Sequence, residues 1–454
     1  MRLIPKKTAA GLLAAVCLLL SGCSFKMAAS PEDLYSLPQL PPEYTALNEC
    51  INSLLAEGAE YAAPVSGSNT QSVQMVDLNG DGQEEALAFL RSSTEEKPLK
   101  IYIFSPTGGG YEQSAVIEGS GTAIYSISYR DLDGDGVMEL LVGWKVGTDL
   151  QVLTVYVLRD GTPEELARSN YVKYAVTDLD TAHPESEVVV LRANDEGGSV
   201  ADFYTWEGSN GAGTLSRVST AVLSMTMAEL NAGRVSTGAL SDGTPALFVS
   251  GVSDSSVEIT DILTAGNGEL SNAVLSATTG VTTELFLYLS LFPTDINNDG
   301  ITEVPAPTPL PSAEAEPAYL VNWRSYDRSG QSRTVEYTYQ DNEDGWYLEL
   351  PDSWVDQIMI SRAQTGTDET MVTFCLRDTA GEEQTELIRI YTITGGSRDV
   401  KSARGDRFVL GRQGEHIYAA ELLEGNRKWS RGITEDALRD RFKLIATEWR
   451  AGDN

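Results

Sequence analysis

The chain has 454 residues, with 33 lysines and arginines against 66 aspartates and glutamates, a net charge of −33. So acidic a surface repels phosphate backbones and anionic headgroups, which argues against nucleic acid as a partner, and it suits a milieu rich in divalent cations. With two histidines, four cysteines and no serine elbow, phosphate-cradling glycine loop or zinc-ligand spacing, the sequence offers no recognisable catalytic constellation.

Residues 1–20 begin basic (Arg2, Lys6, Lys7) and turn apolar from Ala9 to Leu20, a run too short to span a bilayer as a mature helix and suited to a signal peptide. Leu20-Ser21-Gly22-Cys23 resembles the lipobox of bacterial lipoproteins, which implies loss of 1–22 and a lipid on Cys23. That cleavage removes three basic residues and no acidic one, leaving 30 against 66 and a charge of about −36. The expected location is extracytoplasmic, lipid-anchored to the bacterial cell membrane. Residues 23–42, polar and broken by prolines, read as a flexible tether. Over 43–58, Leu47, Ile51, Leu54 and Leu55 share one helical face and Gly58 ends it, predicting a short helix. Cys50 and Cys375 are left over and read as two separate buried thiols, with a disulfide as the alternative.

From 70 to 340 short strand-like segments alternate with turns, and one motif recurs. Asp131-Leu132-Asp133-Gly134-Asp135-Gly136-Val137-Met138-Glu139 places carboxylates at alternate positions, a bend at Gly136 and a closing Glu139 before an apolar strand. Oxygens so spaced suit a hard cation: Asp131, Asp133, Asp135 and Glu139 through carboxylates and Val137 through its carbonyl. An EF-hand would need its last ligand at position 12, where Val142 stands, so this is a nine-residue variant. The same pattern gives Asp77, Asn79, Asp81, Gln83 and Glu85 in one copy and Asp295, Asn297, Asp299, Ile301 and Glu303 in another. A fourth copy starts at Asp178 and decays through His183 before Glu187, and a fifth, around Asp242, has lost its ligands. Spacings of 54 and 47 residues, then 117 with the Asp242 copy near its middle, give a period of about 50. That period, with several strands in each, is the signature of propeller blades. Residues 99–104, 151–158 and 202–206 fall where third strands would. The prolines of Val304-Pro305-Ala306-Pro307-Thr308-Pro309 exclude a central strand, so an irregular crossing is expected there.

These loops resemble the FG-GAP/VCBS repeats of extracellular β-propellers, whose Asp-rich turns hold calcium between two strands of a blade. The resemblance implies a mainly β fold, a propeller over 70–340 with five blades visible and seven possible, and Ca2+ at the copies starting at Asp77, Asp131 and Asp295. After Asp341 the repeat stops. Gly345-Trp346 to Pro351-Asp352-Ser353-Trp354 resembles the opening of PsbP-like domains, which implies a smaller α+β domain over 341–454. Strands are expected at 357–361, 371–376, 386–393, 407–411 and 416–420. A final helix capped by Thr434 would align Leu438, Phe442, Ile445 and Trp449, with Ile433 and Leu438 as a staple. Two more blades from 341–425 are the alternative.

Other features carry less. His183 and His416 read as surface residues, Arg404-Gly405-Asp406 as a chance tripeptide, and Tyr125, Trp144, Tyr204 and Trp206 as core aromatics, with a glycan platform as the alternative. The expected function is a calcium-stabilised, membrane-anchored extracellular binding or adhesion lipoprotein for a glycan or protein ligand, without catalysis. Alternatives are an exported polysaccharide-acting enzyme and an accessory or sensor subunit of an envelope complex.

Overall fold

The computed structural model describes residues 45–93, 95–108, 110–148, 150–182, 185–208, 213–310, 318–377 and 385–445. The residues read as a signal peptide and tether, with Cys23, His183 and Trp449, lie outside them. The fold is mainly β: among the described residues there are six antiparallel sheets of four or five strands, consistent with propeller blades, and a few short helices.

Helix α1 (Thr45–Ala56) comes first. Sheet I holds β1 (Glu60–Tyr61), β2 (Val73–Val76), β3 (Glu85–Arg91), β4 (Leu99–Thr107) and β5 (Gly110–Gly119). Sheet II is the meander β6 (Ala123–Arg130), β7 (Glu139–Val146), β8 (Leu150–Arg159) and β9 (Thr162–Tyr171). Sheet III repeats it as β10 (Lys173–Thr177), β11 (Glu187–Ala193), β12 (Ser199–Glu207) and β13 (Thr214–Leu223). Sheet IV has β14 (Arg234–Ala239), β15 (Pro245–Val252), β16 (Val257–Gly266), β17 (Glu269–Asn272) and β18 (Leu285–Leu287). Sheet V begins with β19 (Val304–Pro309), β20 (Tyr319–Tyr326), β21 (Ser332–Asp341) and β22 (Trp346–Glu349). Sheet VI comprises β23 (Ile358–Gly366), β24 (Glu369–Leu376), β25 (Glu386–Ile393), β26 (Phe408–Gln413) and β27 (His416–Leu422), after which β28 (Phe442–Leu444) returns to sheet V.

Period-two alternation lets each sheet bury both faces. In β3, Leu87 and Phe89 meet Ile127, Leu140 and Val142 of sheet II, while Ala86 and Ala88 meet Leu47 and Ile51 of α1. Further cores join II to III around Leu141 and Val188, III to IV around Phe203 and Leu263, IV to V around Phe248 and Tyr326, and V to VI around Trp346 and Phe374. The third strands expected near 99, 151 and 202 are β4, β8 and β12. Trp144 and Tyr204 are core residues, with Tyr125 and Trp206 packed against a core. Cys50 and Cys375 are both free thiols.

Three expectations are corrected. Residues 304–309 form a regular strand, because β19 is the edge of sheet V. Pro305, Pro307 and Pro309 alternate there with residues that can donate to β20, so no ladder bond is lost. The last helix is Glu435–Arg441, with Thr434 Oγ1 accepting from the Ala437 N–H at 3.2 Å as expected, but it stops before Phe442. Phe442 is extended, pairs with Leu348, and packs its ring, tilted, against Trp346 and Tyr418 with centroids 5.4 and 5.5 Å away, so cross-strand burial overrides the helical period. Finally, the break at 341 is a turn within sheet V: β21 and β22 pair across it, and Leu320 and Tyr339 share a core with sheet VI.

Candidate metal centre

Three of the repeat loops join two strands that pair with each other, and the fourth leads into the first strand of sheet V. Residues 77–85 link β2 to β3, 131–139 link β6 to β7, and 178–187 link β10 to β11. Residues 295–303 precede β19 and are closed by a Thr294–Glu303 bridge.

The first aspartate builds the turn. Asp77 accepts from the Gly80 and Gly82 N–H groups, both at 2.9 Å, and Asp131 from Gly134 and Gly136 at 2.7 and 2.9 Å. Asp295 accepts from Asp299 and Gly300 at 3.0 and 2.8 Å. Gly80 and Gly134 have φ of +71° and +74°; Asn298, a residue that tolerates this region, fills the same place at +60°. The closing glutamate then folds beneath. Its Oε2 accepts the N–H of the residue after the first aspartate: Leu78 to Glu85 at 2.9 Å, Leu132 to Glu139 at 2.8 Å, Ile296 to Glu303 at 3.2 Å. Glu187 does the same for Leu179 at 2.7 Å, so the decayed copy retains its closing acid, which sequence spacing missed by one residue. All four glutamates are at most 3% exposed.

In the loop 131–139, one carboxylate oxygen each from Asp131, Asp133 and Glu139 lie within 4.8 Å of one another. Two oxygens bound to one calcium at about 2.4 Å stand at most about 4.8 Å apart, so the trio fits a shared ion. Burial, helped by Asp133, Asp135 and Asp131, pushes the Glu139 carboxyl up to about 7, and burial then Asp135 push Asp133 up. Glu303 is likewise raised to about 7 by burial and by Asp299 and Asp295, and its Oε1 is buried with no hydrogen-bond partner among the described residues. Glu85 and Glu187 are raised, chiefly by burial. Buried, crowded, under-satisfied carboxylates are what a divalent cation relieves.

The remaining expected ligands are held differently. Asp81, Asp135 and Asp299 each accept the N–H of Gln83, Val137 and Ile301 at 2.8 Å, so the position expected to offer a carbonyl also donates its amide. Asn79 Nδ2 donates to Glu85 and Asp81 at 3.3 Å, and Asn297 Nδ2 to Asp299 at 3.0 Å, occupying the place between carboxylates that Asp133 leaves open to an ion. Among the described residues the 131–139 loop alone brings three carboxylates together. Neighbouring loops are stitched: Met138 N–H donates to Leu78 O at 2.8 Å and Ser186 N–H to Leu132 O at 2.9 Å.

Residues 77–142 match the FG-GAP-like repeat. Repeats of this kind often bind calcium, and the match spans the two loops closed by Glu85 and Glu139. No curated protein matches the chain. Among solved structures, a Lactobacillus plantarum protein is 10% identical with a TM-score of 0.27, covering 71% of this chain and 85% of its own. A candidate 6-phosphogluconolactonase from Bacteroides fragilis is 10% identical with a TM-score of 0.26, covering 72% of this chain and 92% of its own.

Proposed function

We propose that this protein is a calcium-stabilised, non-catalytic binding or adhesion lipoprotein, anchored outside a bacterial membrane through Cys23 and recognising a glycan or protein ligand. The convergence of Asp131, Asp133 and Glu139 on one point carries this reading. With Asp135 and the Val137 carbonyl they would hold the ion in the FG-GAP-like loop, and the copies at Asp77 and Asp295 would hold others. The ion would supply charge neutralisation and loop rigidity, leaving the rest of the propeller-like array free to bind. Three sites with dissociation constants near 0.1 mM would contribute roughly 4 kcal/mol at ~1 mM free calcium. Melting in calcium, magnesium and chelator tests this: calcium should raise the melting temperature and magnesium should restore little, its smaller octahedral shell fitting such loops poorly. Identical melts in all three would reduce the loops to plain turns. Pull-down with residues 24–454 against envelope glycans and proteins tests the binding role.

A further inference from the structure

A cavity of about 390 Å³ opens where the first strands of sheets II, III and IV come together. β6, β10 and β14 are each the edge of their sheet, so their backbones border it, and residues 65–69 run along β6 through bonds such as Ser66 N–H to Tyr125 O at 2.8 Å. Ser126, Ser128, Ser236 and Thr237 give it a hydroxyl-rich wall. Ser128 Oγ is tied to the Tyr174 hydroxyl at 2.9 Å, which fixes one of those hydroxyls in place.

Its charge is the reverse of the molecule's. The protein carries two acidic residues for each basic one, yet among the described residues lining the cavity there is no carboxylate and there are two arginines, Arg130 and Arg234. Arg130 donates to its neighbour's carbonyl, Tyr129 O, at 2.9 Å. The Arg234 guanidinium, exposed in a chain crowded with carboxylates, has neither a hydrogen bond nor an ion pair among the described residues. Arg130 ends β6 on the side of the repeat loops and Arg234 begins β14 at the other side, so the two residues stand at opposite ends of the strands that border the cavity. A guanidinium without a carboxylate is a ready fork for an oxyanion, and a row of hydroxyls recognises a polyol.

We infer that this cavity binds an acidic glycan or polyol segment, with a carboxylate or phosphate on Arg234, its hydroxyls on the serine wall, and Arg130 at the far end for a second acidic group. The inference deepens the binding role proposed above, and rests on it, by giving that role a site and a ligand class. Calorimetric titration of the folded protein in constant calcium, with digalacturonate, glycerol 3-phosphate and neutral galactobiose, tests it. At least one acidic probe should bind, more weakly as salt rises, and galactobiose should not; which acidic probe binds separates a carboxylate source from a phosphate one. Arg234→Gln should weaken binding about tenfold or more while Arg234→Lys retains part of it. The inference is overturned if no acidic probe binds, if galactobiose binds as well, or if Arg234→Gln binds like the parent. Calcium-dependent melting and the envelope pull-down, run on the same preparations, keep the outcomes apart: a captured ligand that Arg234→Gln still holds leaves the binding role standing and removes this site.

Discussion

Replacing Glu139 by glutamine separates a charged ion ligand from an ordinary hydrogen-bond acceptor. Glu139 is 1% exposed and its carboxyl is raised from 4.5 to about 7. At ~1.4 kcal/mol per unit, keeping it ionised in the metal-free fold costs about 3 kcal/mol, which relaxation and water entry bring nearer about 2 kcal/mol. Because the folded value lies above the unfolded one, the stabilisation is complete below about 4.5 and is lost as pH rises through about 7. Glutamine keeps an oxygen for the Leu132 N–H and carries no charge. In chelator near pH 8, Glu139→Gln should therefore be more stable than the parent by about 2 kcal/mol, a melting rise of a few degrees. Near pH 5, where Glu139 is protonated, the two should nearly coincide. In ~1 mM calcium the gap should narrow by about 1.4 kcal/mol, since only the parent keeps full affinity at this loop. Thermal melts followed by circular dichroism in chelator and calcium across that pH range make the comparison. If Glu139→Gln is less stable than the parent in chelator near pH 8, the charge-crowding account fails.

Gly80→Ala should be worse than Gly82→Ala. Both need positive φ, but a Cβ on Gly80 would sit 2.5 Å from Gly136 O whereas Gly82 faces open space; denaturant titration should show a cost above the ~1 kcal/mol expected for the backbone alone, and equal costs would deny the loop–loop contact. A fragment of 341–454 should lack a cooperative melt, having lost β19 to β21 and the Leu320 and Tyr339 share of the last core, while 303–454 should have one; a folded 341–454 fragment would show that core to be dispensable. Cys23→Ala should abolish labelling by a fatty-acid probe and block processing, and unchanged labelling would remove the lipid anchor.

What the sequence made legible was local. Asp131 to Glu139 is a closed turn whose acidic residues, glycines and following strand are contiguous, so spacing alone located it. Residues 45–56 carry a helical stripe because α1 packs on one side only. What was hidden depends on partners distant in the chain. Pro305 and Pro307 are tolerable only because β19 has a free edge, a property of sheet order. Phe442 leaves its helix for a partner nearly a hundred residues earlier, Leu348. The cavity gathers residues from 67 to 247, each unremarkable in its own segment. Glu187 was within reach: allowing one extra residue in the loop recovers it.

The burial of α1 on sheet I makes the fold a one-dimensional stack. Each core joins one sheet to the next, and the outer face of the first sheet is covered by a helix rather than a strand layer. In such an array stability is a sum of nearest-neighbour terms, and the terminal element serves as a cap. Residues before Thr45 attach at that cap, so a pull on the amino terminus reaches α1 before any sheet. Unfolding under load would then begin by stripping the helix from Ala86, Ala88 and Phe104 and advance sheet by sheet, leaving the far cores intact while the near ones yield.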